Sequence, residues 1–520
     1  MTKKILMVSA ENDALPGAKV GGVGDVLRDL PPALIRQGLD VECVIPSYGF
    51  LARLPKLEKI ACISVPFGNS VQAVDVLKYN AKKDEADIYI LEHPFFYPQG
   101  ERVYCHDGAE KPFATDATKF AFFCACVAQC LEEKAISRPD VLHCHDWHAA
   151  FLLILLRFSA QYASLSSIKT VFSIHNLAMQ GVRPKLGDES SFQRWFPNIP
   201  TNLDDLSDPV NSHCVNPMRA GIRLADKVHT VSPTYALEIL QPSKTDLGIY
   251  GGEGLEDDLA QRHTSGDLHG ILNGCNYPRK KAKPAPAKTT LIKMISDCLP
   301  VWASKERELL SAHWLAEKRL QDWRSNKKAQ ILLSSVGRVT EQKVRLLCFT
   351  LNDGRTVLDC LLHSLGNKGT FVMVGSGDQA LEQNLVAISA RNKNFLFLNG
   401  FSAELADALY KSGDLFLMPS SFEPCGISQM LAMREGQPCL VNRVGGLRDT
   451  IEPNRNGFAF EGSDLNAQAN ALIAVFNEAL RVYFDAPEIW EKISRAAAAT
   501  RFYWKEVATQ YDDKLYTFVQ

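Results

Sequence analysis

Nowhere in the 520 residues does an apolar run reach the roughly 18 consecutive positions that a membrane-crossing helix needs, so such a span is not expected. Charge of one sign is equally scarce. Lys and Arg number 57 against 59 Asp and Glu, a formal charge of −2, so no basic surplus points to nucleic acid as a partner. The 14 cysteines show neither paired spacing nor any metal-finger pattern. That excludes a disulfide framework and a structural zinc module, and the expectation is reduced thiols in a cytoplasmic protein. No tandem repeat or extended low-complexity segment is present, and 46% hydrophobic with 22% charged residues is the composition of globular domains. The opening stretch MTKKILMVSAEND has a short apolar run followed at once by acidic and amide residues, which reads as a first β-strand rather than a signal peptide.

What is present is alternation. Strands are predicted at Ile5–Ser9, Val41–Ile45, Ile88–Leu91, Val141–Cys144, Thr170–Ser173 and Lys227–Thr230, and later at Ile331–Val336, Thr370–Val374, Asn394–Leu398, Leu415–Met418 and Pro438–Asn442. Helical patterns lie between them, which argues for parallel sheets covered on both faces. The length exceeds what one core holds, so two doubly wound α/β domains are expected, with a cleft where their strand ends face each other. The boundaries read as 1–265 completed by a C-terminal helix at about 503–520, and 270–502. The clearest break is the Pro- and Lys-rich YPRKKAKPAPAKTT, Tyr277–Thr290. A helix is predicted from Leu309 to Trp323, and another near the end carries Trp504, Val507, Tyr511 and Leu515 on one face.

Four stretches carry chemistry. GAKVGGVGDVLRDLPPAL, Gly17–Leu34, follows the first strand and opens a helix; adjacent Gly21 and Gly22 permit close backbone approach, and Lys19 adds a charge suited to phosphate. It matches neither the dinucleotide fingerprint nor the P-loop, and a plain glycine turn remains the alternative. In VLHCHDWHAAFLL a strand ends in His143, His145, Asp146 and His148, where a polar substrate or, alternatively, a metal is the guest. SIHNLAMQG, Ser173–Gly181, repeats that layout one strand later. SSVGRVTEQKV brings Arg338 and Lys343 onto one loop and helix start, cations that can converge on a diphosphate, and VMVGSGDQALEQ supplies a glycine turn at Gly375. SSFEPCGISQMLAMREG sets Glu423 before a helix, where it serves as a cap or meets a ligand, and NRVGGLRDTI follows. Glycines, cations and hydroxyl-recognising groups at strand ends of both domains ask for a nucleotide sugar.

These residues resemble the bacterial glycogen synthase and plant starch synthase family. The resemblance rests on K-x-G-G-x-x-D-V at Lys19–Val26, H-x-H-D-W-H-A at His143–Ala149, I-H-N-L-A-x-Q-G at Ile174–Gly181 and A-D-x-x-x-T-V-S-P-T-Y-A at Ala225–Ala236. It continues through I-L-N-G at Ile271–Gly274, G-R-x-T-x-Q-K at Gly337–Lys343, E-P-C-G at Glu423–Gly426 and G-G-L-x-D-T at Gly445–Thr450. It implies a retaining glucosyltransferase of the GT-B type, with two Rossmann-like domains. Glucose would pass from a nucleotide diphosphate glucose, ADP-glucose with UDP-glucose as the alternative, to the 4-hydroxyl at the non-reducing end of an α-1,4-glucan.

The resemblance further implies Glu423, Arg338, Lys343 and His145 as catalytic residues. Lys19, Gly21, Gly22, Gly375, Cys425, Gly426, Gly445 and Gly446 would contact the donor, and Asp25, Asp116, His175, Asn176 and Gln180 would line the acceptor and sugar cleft. No metal or other cofactor, nucleic acid or membrane is expected. The family pattern is broken where it reads R-Y-G-T and R-x-T-G-G; here stand Arg434-Glu435-Gly436-Gln437 and Asn442-Arg443-Val444-Gly445, in the part expected to contact the nucleotide. Asn276 replaces the usual Asp of N-G-[IV]-D, and residues 277–328 diverge. A transferase with a small sugar acceptor and a silent glucan-binding relative are the competing readings.

Overall fold

The computed structural model describes residues 2–277, 284–305, 311–326 and 328–518. Part of the Pro/Lys-rich break (278–283) and the expected helix start at Leu309 and Leu310 lie outside them. The chain divides into two compact units: residues 1–243, 251–274 and 503–520 form the first, and 244–250 with 275–502 form the second.

The first unit contains β1 (Lys4–Val8), β2 (Asp40–Pro46), β3 (Leu57–Phe67), β4 (Ser70–Tyr79), β5 (Asp87–Glu92), β6 (Val141–His145) and β7 (Lys169–Ile174). The ribbon β8 (Arg183–Pro184) with β9 (Cys214–Val215) follows, then β10 (Lys227–Thr230) and β11 (Leu268–Gly270). Nine of these strands make one sheet, ordered β11-β10-β7-β6-β1-β2-β5-β4-β3. All neighbours from β11 to β5 are parallel, and β4 and β3 extend the edge as an antiparallel hairpin. Successive residues of β1 feed opposite cores: Leu6 and Val8 pack with the almost wholly buried helices Ala114–Glu132 and Asp146–Phe158, while Ile5 and Met7 pack with the helix Gly22–Ile35. The C-terminal helix Trp504–Tyr511 joins this second core, and its predicted face of Trp504, Val507, Tyr511 and Leu515 is buried there.

The second unit is built from β12 (Ile331–Val336), β13 (Gly369–Gly375), β14 (Phe395–Asn399), β15 (Leu415–Met418), β16 (Cys439–Asn442) and β17 (Gly457–Phe460), all parallel, in the order β14-β13-β12-β15-β16-β17. Its helices also cover both faces, for Phe371 and Met373 enter one core and Val372 and Val374 the other. The divergent segment contributes the helices Lys288–Ala303 and Ser311–Ser325. They bury Ile292, Ile295, Leu320 and Trp323 in the same core as Val372 and Val374, whereas Trp314 points to solvent.

Candidate active site

Both sheets reverse their strand order beside their first strand, and in such sheets the crevice outside the carboxyl ends at that point receives ligands. In the second unit the reversal falls between β12 and β15, which pair through Leu333 and Leu415. The chain leaving β12 runs through Gly337, Arg338 and Thr340 into the helix Glu341–Cys348, which carries Lys343. The chain leaving β15 runs through Ser420 to Glu423. These two segments meet: Lys343 Nζ contacts Glu423 Oε2, the Ser420 hydroxyl donates to the same oxygen at 3.1 Å, and Gln342 Nε2 donates to the Phe422 carbonyl at 2.9 Å.

Glu423 is 6% exposed, whereas Arg338 is exposed and makes no ion pair among the described residues. The capping alternative for Glu423 fails, because the helix Ser428–Arg434 has Ile427 at its N-cap and no side-chain cap bond. Between carboxylate and helix, Gly426 takes φ 77°, a left-handed conformation that favours glycine. The Gly446 N–H donates to the Glu423 carbonyl at 3.0 Å, and a β-carbon on Gly446 would lie 2.7 Å from the carbonyl carbon of the buried Cys425. Only glycine lets the helix Gly445–Thr450 approach that closely. Gly375 ends β13 on the opposite side of β12.

Of the sequence departures, Val444 sits in this group, as the N-cap of Gly445–Thr450. Glu435 does not. It follows Arg434 at the far end of the helix Ser428–Arg434, about 10 Å of helix away, paired with Arg434 at 2.8 Å. Gln437 is buried and donates to Ser334 Oγ at 2.7 Å.

In the first unit the reversal falls between β1 and β6. The glycine loop after β1 is organised by Glu11, which the sequence reading passed over. Its buried carboxylate accepts the Val20 and Gly21 N–H groups at 2.7 and 2.6 Å and the Tyr104 hydroxyl at 2.7 Å. Hence the Gly21 amide expected to meet phosphate is committed to a carboxylate of the same chain, while Gly22 begins the helix. Lys19 lies between Asp25 at 2.6 Å and Asp13 at 3.4 Å, and Arg28 contacts both aspartates. Burial raises the Asp25 carboxyl above its ordinary value against the opposing pull of Lys19.

At the end of β6, His143 and His145 stack with ring centroids 4.2 Å apart. Both nitrogens of His143 are engaged, with the Tyr516 hydroxyl at 2.8 Å and Ser173 Oγ at 2.7 Å. Among the described residues no group of three His, Cys, Asp or Glu side chains is arranged to hold an ion. His145 Nδ1 lies 2.9 Å from His175 Nε2, and burial lowers His143 to about 3 and His175 to about 4. Asp146, at φ 56°, accepts the His175 N–H at 2.7 Å, and burial raises its carboxyl to about 7.

The remaining expected sugar contacts have partners within the unit. Asp116 accepts the Cys105 N–H at 3.0 Å and pairs with the buried Lys119 at 2.6 Å. Gln180 donates to the Glu253 carbonyl at 3.1 Å and accepts from Asn216 at 2.6 Å. Asn176 accepts the Ala178 N–H at 3.0 Å.

Residues 4–261 match the family described as starch synthase catalytic domain, and residues 332–478 match glycosyl transferases group 1. The glycogen synthase of Aeromonas salmonicida (strain A449) is 33% identical over 520 residues, 98% of this chain and 97% of that one. That of Desulfitobacterium hafniense (strain DSM 10664 / DCB-2) is 32% identical, with 97% of each chain covered. Among solved structures, the catalytic domain of starch synthase IV from Arabidopsis thaliana bound to ADP and acarbose gives a TM-score of 0.72 at 24% identity over 99% of both chains. Sucrose-phosphate synthase from Thermosynechococcus elongatus gives 0.53 at 17% identity over 98% of both. The fold is that of the GT-B glycosyltransferases.

Proposed function

The chain belongs to the bacterial glycogen synthase and plant starch synthase family of glycosyltransferases, and from that premise we propose its donor, acceptor and mechanism. The donor is a nucleotide diphosphate glucose, ADP-glucose in preference to UDP-glucose. The acceptor is the 4-hydroxyl at the non-reducing end of an α-1,4-glucan, and no metal takes part.

The observation that carries this reading is the contact of Lys343 with Glu423 at the switch point of the second sheet, beside the exposed Arg338. A diphosphate leaving group gains negative charge as its bond to the sugar breaks. Arg338 and Lys343 supply fixed positive charge for it, and a preorganised donor of this type is worth about 10²–10³ in rate. Glu423, held by Lys343 and Ser420, faces the positive charge that develops on the glucosyl ring.

A two-carboxylate mechanism requires a second carboxyl group about 5–5.5 Å from the first when configuration is retained. Among the described residues the side-chain partners of Glu423 are Lys343 and Ser420, and its own stretch SSFEPCG offers no second carboxylate. Internal return is the mechanism that fits. The bond from the anomeric carbon to the phosphate oxygen breaks with its electron pair leaving on the phosphate; the acceptor oxygen bonds to the same carbon on the same face, and its proton passes to the departing phosphate.

The test is nucleoside diphosphate release from ADP-glucose and UDP-glucose in parallel, with glycogen, for the wild type and Glu423→Ala. Glycogen-dependent release from ADP-glucose that collapses in the variant supports the proposal. Release from neither donor refutes it in favour of a small acceptor or a silent relative, and a trapped glucosyl-Glu423 adduct refutes internal return.

A further inference from the structure

We propose that His175 is a positioning residue for His145, setting which hydrogen-bonding role the far nitrogen of His145 offers to the transferred sugar. The proposal rests on the glucosyl-transfer reading above, in which His145 touches that sugar.

One atom of His145 has no partner. The residue is 0% exposed, and its Nε2 is buried without a hydrogen bond. A buried polar atom left unpaired costs about 1–3 kcal/mol, and such atoms in native proteins call for a function or a missing ligand. Elsewhere the ring is fixed. Nδ1 lies 2.9 Å from His175 Nε2, and one face stacks on His143 at 4.2 Å and 23°. His143 cannot turn away without losing Tyr516 and Ser173, and Ser173 Oγ is in turn 2.8 Å from His229 Nδ1.

His175 is held by its main chain. β6 and β7 pair with His145 opposite Ser173, and His175 follows two residues later, where the Asp146 carboxylate accepts its N–H at 2.7 Å. Burial lowers both His145 and His175 below the ordinary histidine range, so the two rings meet as neutral imidazoles.

A neutral imidazole has one N–H and one lone pair. If His175 donates to Nδ1, the Nε2 of His145 carries the hydrogen and donates to a sugar oxygen; if His175 accepts, Nε2 accepts from a sugar hydroxyl. The bond therefore couples the two rings, and the role that Nε2 offers the sugar depends on which of the two facing nitrogens carries the hydrogen. Without that bond the imidazole samples both tautomers and its ring can rotate, and misplacement of this kind costs up to about 10²-fold in rate.

The experiment compares His175→Leu, His175→Gln, His145→Ala and the His145→Ala/His175→Leu double variant, each checked for native thermal unfolding. His175→Leu should lower kcat about 10–100-fold while KM for the nucleotide sugar moves less than about threefold. His175→Gln, which restores a polar atom near the position of Nε2, should recover about tenfold of that loss. In the His145→Ala background the leucine substitution should cost less than about twofold, because its effect passes through a ring no longer present. An equal loss in both backgrounds, or a raised KM with kcat unchanged, overturns the proposal; the latter means that His175 binds the sugar itself.

A second readout does not depend on turnover. With 15N-labelled histidine, His145 should show one tautomer in the wild type and a mixture in His175→Leu. Identical spectra overturn the positioning role even if the enzyme accepts no nucleotide sugar, whereas a changed tautomer without turnover refutes the reaction and leaves the positioning intact.

Discussion

Replacing Lys343 by methionine keeps most of the aliphatic stem and removes the charge that faces Glu423. The carboxylate, 6% exposed, would then keep only the Ser420 hydroxyl at 3.1 Å. Removing one member of a buried ion pair costs about 3–5 kcal/mol, because the other charge stays behind. Here the Lys343 side chain is 20% exposed, so water screens the pair from one side and about 2 kcal/mol is the better figure. The catalytic loss should be larger in proportion, about 10²–10³ in rate, since the same ammonium supports charge on the leaving phosphate.

The assay is a double-mutant cycle of Lys343→Met and Glu423→Gln, read by urea unfolding and by nucleoside diphosphate release. The double variant should be less destabilised than the sum of the single variants by about 1–2 kcal/mol, while its rate stays as low as the worse single variant. Single-variant stabilities that add within about 0.5 kcal/mol would refute the reasoning, because independent sites behave that way.

Asp146 gives a pH prediction. Its carboxyl stands near pKa 7 when folded against an ordinary value of 3.8, so the folded chain retains a proton that the unfolded chain releases. This contribution is fully present below about pH 4 and is lost as pH rises through about 7. Asp146→Asn retains an acceptor for the His175 N–H and tolerates the φ of 56°, so the variant should lose less stability than the wild type between about pH 5 and 8; parallel urea midpoints across that range would count against it. Val444→Thr places a hydroxyl at an N-cap, but the Gly446 and Leu447 N–H groups it would cap already donate to the Glu423 and Val444 carbonyls at 3.0 Å, so stability read from the urea midpoint should change by less than about 0.5 kcal/mol. If this position also reads the donor, release from ADP-glucose relative to UDP-glucose should rise by up to about tenfold, and an unchanged ratio removes Val444 from donor choice.

The strands that sequence reading found are those buried on both faces. β13, as TFVMV, and β15, as LFLM, stand out because helices cover both sides of a parallel sheet and the whole run is apolar. The hairpin β3–β4 escaped because its outer face is wet: along Leu57–Phe67 buried and exposed residues alternate towards the turn, and charged residues interrupt the start. A signal was nonetheless present in Gly68-Asn69, a two-residue turn that joins Phe67 to Ser70, with Pro66 on what proves to be the edge strand.

At the site, residue types were legible and partners were not. Glu11 lies among the polar residues SAEND after β1, and nothing local tells that its carboxylate turns onto the Val20 and Gly21 amides. Glu435 looked close to the nucleotide because it lies near Val444 in sequence, yet the helix Ser428–Arg434 carries it to the opposite end.

Residue order alone was enough for the alternation of strands and helices, for the glycines and polar side chains at strand ends, and for the family. Local periodicity and motif order survive in an unfolded chain, so both can be read before any contact forms. The contact of Lys343 with Glu423 across 80 residues, and the bracing of His143 by Tyr516 across 373, came only from the folded chain. Strand order is the cause. β12 lies between β13 and β15, β1 lies between β2 and β6, and these crossovers bring distant loops to one edge of a sheet. Which donor then meets which acceptor is fixed by distances of about 3 Å that no spacing along the chain encodes.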